Sequence, residues 1–440
     1  MSWNPQLIVL ILTTTAVSYT SGVLLEKYEA KSLRKLFLWV NISVSLGLLF
    51  FFKYFNFLSE TVVYALRQIS IPANDVTLKV ILPVGISFYT FQTLSYVIDV
   101  YKGNMKAERH FGIYALYVSF FPQLVAGPIE RPQNLLPQFY QEHYFDYDKG
   151  AYGLKLIAWG LFKKIIIADT LSKYVNLVYN DISQHQGLAF IIATFFFAIQ
   201  IYCDFSGYSD IAIGSAKLMG FDLMKNFNSP YFSKSIKEFW SRWHISLSTW
   251  FRDYVYIPLG GNRVKRGRHL LNLWITFLAS GLWHGANWTF VLWGGIHGAF
   301  IVIEQILSNL KKELRHSRIR DLFSMILTIT IVVFAWVFFR ANTISDAFVG
   351  LKTMFIGIDE PIKYFKTAYM VFDYPKLDFI KIIFVTSLLL VFDYFNMKRD
   401  VINSMKNWNV VIRWSVYLIF LFLFVFLDPR ESSEFIYFQF

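Results

Sequence analysis

The chain has 440 residues, 55% of them hydrophobic, 19% aromatic and only 16% charged. Soluble domains carry about 25% charged residues, so this composition excludes an ordinary soluble enzyme and reads as a polytopic membrane protein. A single cysteine, Cys203, excludes an intramolecular disulfide and a multi-cysteine metal site. The net charge of +12 does not mark a nucleic-acid partner once its distribution along the chain is followed.

Met1–Pro5 lacks a basic stretch and no small-residue cleavage site follows, so no cleavable signal peptide is expected. Apolar runs then fall at 6–25, 36–58, 80–100, 111–128, 152–171, 186–205, 270–283, 286–308, 321–339, 377–395 and 410–427. Most reach the roughly 20 residues that cross a hydrocarbon core. The segments 26–35, 101–110, 131–151, 206–269, 309–320 and 396–409 hold 27 Lys and Arg, against 9 in 59–79, 172–185, 340–376 and 428–440. The positive-inside rule puts the first set in the cytoplasm. An even number of crossings must then separate 101–110 from 206–269, although three apolar runs lie between. The run 111–128 ends in FPQLVAGPIERP, whose Pro and Gly content suits a re-entrant segment enclosed by protein. About ten crossings remain, with both termini outside. The chain reads as one all-α integral membrane domain, 1–440, with 428–440 as an extracytoplasmic tail.

Three stretches carry polar groups that apolar surroundings make costly. In YCDFSGYSDIAIGSAKLMGF, Asp204 and Asp210 close an apolar run, with Ser206 and Ser209 near them. They suit helix capping or structural pairing, and could bond an imidazole or a cation. In EFWSRWHISLSTWFRDYVYIPLGGNR, apolar residues recur at three- and four-residue steps, as in a helix at the membrane interface. His244 falls among those apolar positions, where a satisfied core histidine and a functional one compete. In SGLWHGANW, His284 stands near the reversal of an out-and-back pair of runs whose glycines allow close approach. His297 in WGGIHG reads as structural. No His, Asp or Glu grouping has metal-site spacing, and no Walker or Rossmann glycine pattern occurs.

These stretches, with LPVGISFYTFQTLSYVIDVYKG at 82–103, FFPQLVAGPIERP at 120–132, FAWVFFRA at 334–341 and FIYFQF at 435–440, resemble the membrane-bound O-acyltransferase (MBOAT) family. The likeness is closest to its bacterial branch of alginate and peptidoglycan O-acetylation. It implies the MBOAT fold, with about ten transmembrane helices plus re-entrant and interfacial ones, around a thin centre reached from both sides. It implies a multi-pass protein of the bacterial cytoplasmic membrane that moves an acyl group, most simply acetyl, from a cytoplasmic thioester to an extracytoplasmic polysaccharide. No cofactor or metal is implied; acetyl-CoA or another thioester is the donor substrate. The family's WHG histidine is His284, the implied general base, and the earlier polar residue is His244, which would orient the thioester or stabilise charge on its carbonyl oxygen. Asn262 and Arg263, with Lys265, Arg266 and Arg268, could attract the phosphates of CoA, although positive-inside anchoring explains them equally. Teichoic-acid D-alanylation from a carrier protein is the nearer alternative, and a transporter or flippase the more distant one. Relatives carry about two further apolar segments before 6–25, a departure that leaves the orientation unchanged.

The C-terminal DPRESSEFIYFQF has its own reading. An interfacial aromatic anchor would satisfy its rings. Residues 428–440 extended reach about 40 Å, however, whereas the bilayer midplane lies about 15 Å below the surface. The tail could therefore return into the membrane and bring Tyr437 near His284. Related systems use such an aromatic motif, which implies a relay. Tyr437 would take the acyl group as an ester and present it to a periplasmic or surface acetyltransferase partner that modifies the glycan.

Overall fold

The computed structural model describes residues 7–74, 76–79, 83–308, 317–372, 376–427 and 433–436, with the side chains of 376–378 left aside. Among the described residues every regular element is helical. In order they are α1 (Ile8–Lys27), α2 (Lys31–Leu49), α3 (Phe55–Gln68), α4 (Ile86–Lys102), α5 (Phe111–Ser119), α6 (Phe121–Leu124), α7 (Pro132–Leu135), α8 (Tyr147–Leu161), α9 (Asp169–Tyr179) and α10 (Leu188–Leu218). There follow α11 (Ile236–Arg242), α12 (Ile245–Phe251), α13 (Arg266–His284), α14 (Trp288–Ser308), α15 (Arg318–Arg340), α16 (Ile344–Thr353), α17 (Pro361–Phe372), α18 (Lys376–Asn396), α19 (Val401–Ser404) and α20 (Val410–Leu427). Wide π-turns at Phe50–Tyr54, Phe162–Ala168 and Arg252–Tyr256 join α2 to α3, α8 to α9, and extend α12.

Seven of these helices are long and apolar enough to cross a membrane: α1, α2–α3 as one 38-residue unit, α10, α14, α15, α18 and α20. The other three runs expected to cross, 80–100, 152–171 and 270–283, contain α4, the α8–α9 unit and α13, which are helical but shorter or more polar. The run 111–128 breaks as anticipated. α5 stops at Phe120, Pro122 opens the four-residue α6, and irregular backbone follows. That backbone is buried in protein, with Ala126, Ile129 and Glu130 all at most 2% exposed. Two of its backbone groups find partners there: Ile129 N–H donates to Ser246 Oγ (3.0 Å) and Glu130 C=O accepts from Tyr117 Oη (3.2 Å). Irregular backbone is tolerated at membrane depth only under such cover.

Two features of the packing place the site. α8 lies directly against α10 because glycines face glycines. A Cβ on Gly160 would stand 2.5 Å from the Gly207 carbonyl oxygen, and one on Gly153 would stand 2.7 Å from that of Gly214. α13 and α14 form a tight hairpin for the same reason, since a Cβ on Gly281 would meet the Phe290 carbonyl oxygen at 2.3 Å. Small residues give membrane helices the dispersion contact that apolar lipid cannot drive.

The stretch 238–263 is not one interfacial helix. It divides at His244, and Trp240, Trp243, Leu247, Trp250 and Phe251 point into the core. Of the two roles expected of Asp204, one holds: the helix does not end there but continues to Leu218, so Asp204 does not cap it, and it pairs structurally with Lys164.

Candidate active site

His244 sits between α11 and α12 with φ 43° and ψ 55°, a left-handed conformation uncommon for a side chain bearing a Cβ. Such backbone persists when its surroundings over-determine it. Here Ile245 N–H donates to the Asn226 carbonyl (2.9 Å) and Asn228 N–H to the Arg242 carbonyl (2.9 Å), so the segment 226–228 pins both sides of the break. The imidazole is fully buried. Its Nδ1 lies 3.0 Å from Asn226 Oδ1, and Phe205 of α10 packs edge-on against it at 4.5 Å.

His284 ends α13 and is 3% exposed. The last carbonyls of that helix are held from the α2–α3 π-turn. Lys53 Nζ donates to the carbonyls of Trp283 (3.0 Å) and His284 (2.9 Å), and Tyr54 Oη donates to that of Leu282 (2.9 Å). An ammonium complements the negative end of a helix dipole, so Lys53 both caps α13 and fixes where His284 stands. Around the ring, Trp283, Trp293 and Phe339 approach edge-on with centroids 5.0, 5.0 and 5.5 Å away. Between the two imidazoles the centroid distance is 6.4 Å. Forty residues apart in sequence, they face one another in an aromatic interior.

His297 takes another role. Its Nδ1 accepts from Trp240 Nε1 (3.3 Å), and its ring lies parallel to Phe239 at 6.2 Å. His297→Gln keeps one acceptor in that pocket, so transfer activity is expected to stay within about threefold of wild type; loss as deep as that of His284→Ala would place His297 in the chemistry. Asn262 and Arg263 are exposed on the turn before α13. They lie at the opposite end of that 19-residue helix from His284, roughly 28 Å away at 1.5 Å per residue. A cleft of about 820 Å³ lined by Gln138, His143, Tyr144, Lys149 and Asp222 includes neither them nor either histidine. Tyr437 lies outside the described residues, but its two predecessors do not. Phe435 and Ile436 are buried, with Phe435 against Phe205 (6.3 Å) and Tyr208 (5.1 Å). The ring of Phe205 thus touches both His244 and the tail.

An ion cluster holds that tail. Lys164 of the π-turn pairs with Asp169 (2.8 Å) and Asp204 (2.9 Å), both 3% exposed. The free faces of the same groups grip main chain: Asp204 Oδ2 accepts from Ile436 N–H (2.7 Å), Lys164 Nζ donates to the Ser433 carbonyl (3.0 Å), and Ser433 Oγ donates to Asp169. Beside it, Lys163 pairs with Asp210 (2.7 Å) and bonds Ser206 (2.8 Å). Sequence reasoning named the two aspartates and missed their partners, although two lysines inside GLFKKIIIAD meet the criterion of intramembrane ionisable groups. It also missed Asn226, Ser246 and Lys53. Among the described residues, no group of three or more His, Cys, Asp or Glu could hold a metal ion.

The family of this site is shown by comparison. Residues 108–344 match the MBOAT, membrane-bound O-acyltransferase family. A probable alginate O-acetylase, AlgI, of Pseudomonas aeruginosa is 39% identical over 80% of this chain and 67% of its own length. A peptidoglycan O-acetyltransferase of Helicobacter pylori is 34% identical over 81% of this chain and 71% of its own. A teichoic acid D-alanyltransferase of Bacillus subtilis is 26% identical over 59% and 68%. The chain belongs to the membrane-bound O-acyltransferase family. It is a multi-pass bacterial membrane acyltransferase.

Proposed function

We propose that this enzyme takes an acetyl group from acetyl-CoA at the cytoplasmic face and passes it through the membrane for O-acetylation of an extracytoplasmic polysaccharide. The observation that carries the reading is the buried pair His244 and His284, 6.4 Å apart, approached from the C-terminus by a tail anchored on Asp204. The names of the alginate and peptidoglycan relatives support the acetyl group and the glycan.

In this reading a hydroxyl oxygen attacks the thioester carbonyl. One imidazole accepts the hydroxyl proton as the C–O bond forms. The C–S bond then breaks and the departing sulfur takes that proton, leaving an ester and a free thiol. The other imidazole attends the thioester. The family resemblance gives the base to His284 and the thioester to His244. The first hydroxyl is that of Tyr437, one residue beyond the Ile436 held by Asp204, and one residue adds at most about 3.6 Å of chain. A periplasmic or surface partner acyltransferase then moves the group to the glycan, so neither CoA nor polysaccharide crosses. Asn262 and Arg263, in the exposed basic loop before α13, attract the donor's phosphates.

Incubating the purified protein with acetyl-CoA and sequencing the C-terminal peptide by mass spectrometry tests this. One acetyl group on Tyr437 is expected, absent in Tyr437→Phe, which keeps the aromatic contact and loses only the nucleophile. Full glycan acetylation by the Phe variant would end the relay. The likeness to a D-alanyltransferase supports a second reading; indifference to acetyl-CoA with labelling from a D-alanyl carrier protein would select it.

A further inference from the structure

The geometry points to a binding site for an anionic phospholipid between α15 and α18, in the leaflet that the positive-inside rule makes cytoplasmic. One acyl chain fills an apolar groove there, and the phosphate sits among Arg318, Lys398 and Arg399. The site lies apart from the two histidines and takes no part in their chemistry.

The groove has a volume of about 390 Å³, and its lining includes Phe232, Met325, Ile329, Leu390, Val391 and Tyr394. The ends of two helices and one short turn build it. α15 begins at Arg318 and α18 ends at Asn396, each beside a basic segment, so both ends face the cytoplasm. The 3₁₀ turn Pro230–Phe232 is tied to both helices: Ser229 Oγ donates to the Asp393 carbonyl (3.0 Å), and Lys234 pairs with Asp321 (2.8 Å). The turn thereby stands between them, with the rings of Phe232 and Tyr394 6.2 Å apart at one side of the groove. Ile329 stands about 17 Å along α15 from Arg318 at 1.5 Å per residue. That is close to the depth of one leaflet, roughly 15 Å.

An apolar void at that depth offers water no partners, so hydrocarbon occupies it. The mouth decides which lipid supplies that hydrocarbon. Arg318, Lys398 and Arg399 are exposed there. Lys398 Nζ donates to Tyr394 Oη (2.9 Å) and lies 4.3 Å from the centre of its ring, and the charge of Arg318 is felt at the same hydroxyl. The neighbouring carboxylates are engaged elsewhere: Asp321 by Lys234, Asp393 by Tyr202 (2.7 Å) and Asp400 by Tyr152 (3.1 Å). A phosphate is the complement of the cations that remain, at the level where Tyr and Lys side chains meet headgroups. Deeper in, the unbranched Met325 adapts its shape to a chain. The groove also borders the aromatic interior. Tyr231 lines it and packs on Tyr202 (5.5 Å) and Trp243 (6.1 Å), and Trp243 directly precedes His244. A bound chain therefore supports the lipid side of the wall around the histidines.

The test places the purified protein in phosphatidylcholine nanodiscs holding a trace of phosphatidylglycerol with a diazirine in one acyl chain. After illumination, mass spectrometry is expected to find that lipid on peptides holding Met325–Ile329 or Leu390–Phe395. A trace of phosphatidylcholine with the same diazirine should label them far less. Arg318→Gln combined with Lys398→Gln removes two surface cations and should cut labelling by phosphatidylglycerol about tenfold or more. Val391→Trp fills the groove from an exposed position and should abolish labelling there with the charges intact. Phosphatidylglycerol should also raise the thermal unfolding midpoint of the wild type by a few degrees, and that of the Val391→Trp protein less. Equal labelling by the two lipids, or full labelling of either variant, would reduce the groove to unselective annular contact and overturn the proposal. Absence of lipid from both peptides would overturn it too, and would leave the groove to a protein helix.

Discussion

Replacing His284 with alanine is expected to lower acyl transfer by roughly 10²–10⁴-fold, the range covered by loss of a general base and by loss of a group that stabilises an oxyanion. The fold should survive. The contacts that fix this end of α13 come from Lys53 and Tyr54 and land on main-chain carbonyls, which the substitution leaves in place. What disappears is an imidazole enclosed by Trp283, Trp293 and Phe339, so the loss falls on chemistry. The measurement is acetyl transfer per minute by the purified variant, alongside its thermal unfolding midpoint. Retention of more than about a tenth of wild-type activity would remove His284 from both roles.

Lys164→Met should be the most damaging single change away from the histidines. It leaves Asp169 and Asp204, each 3% exposed, without the ammonium between them. Removing one partner of a buried ion pair typically costs about 3–5 kcal/mol; Lys164 itself is 19% exposed, which puts the expectation at the lower end. A second effect accompanies the first, because Lys164 also holds the Ser433 carbonyl. Tail acetylation should therefore fall further than donor hydrolysis does. Adding Asp204→Asn to Lys164→Met relieves part of the uncompensated charge and should recover part of the stability, as contacting sites do not add independently. Wild-type unfolding by Lys164→Met would mean that the cluster contributes nothing to folding.

The membrane class, the break in 111–128 and the histidine motifs were legible because each has a local signature: length of apolar run, Pro and Gly density, and an ionisable ring among tryptophans. The family followed from motifs spread over most of the chain. What could not be read was mutual position. Asp204 read as a cap or a structural pair, but its partner was not visible, because Lys164 stands 40 positions earlier and the close packing of α8 on α10 brings the two together. The aromatic residues of 239–254 have helical spacing, yet a single left-handed residue, His244, splits the helix and turns them inward. Periodicity carries no trace of such a break. Nor could the contact between His244 and Asn226 be foreseen, since Asn226 comes from a stretch, KNFNSPY, with no regular pattern of its own.

The aromatic walls around the two histidines bear on a competition that every acyl thioester faces. Water is the most abundant nucleophile in the cell, and a base that activates a hydroxyl will activate water as readily. With Trp243, Trp293, Trp336 and Phe339 each at most 2% exposed, and with Phe205 and Phe435 closing the side toward the tail, such a lining discourages solvent from waiting beside the base. Such a lining favours fidelity by keeping the commonest wrong hydroxyl out, and Phe435, packed against Phe205, extends it toward the tail.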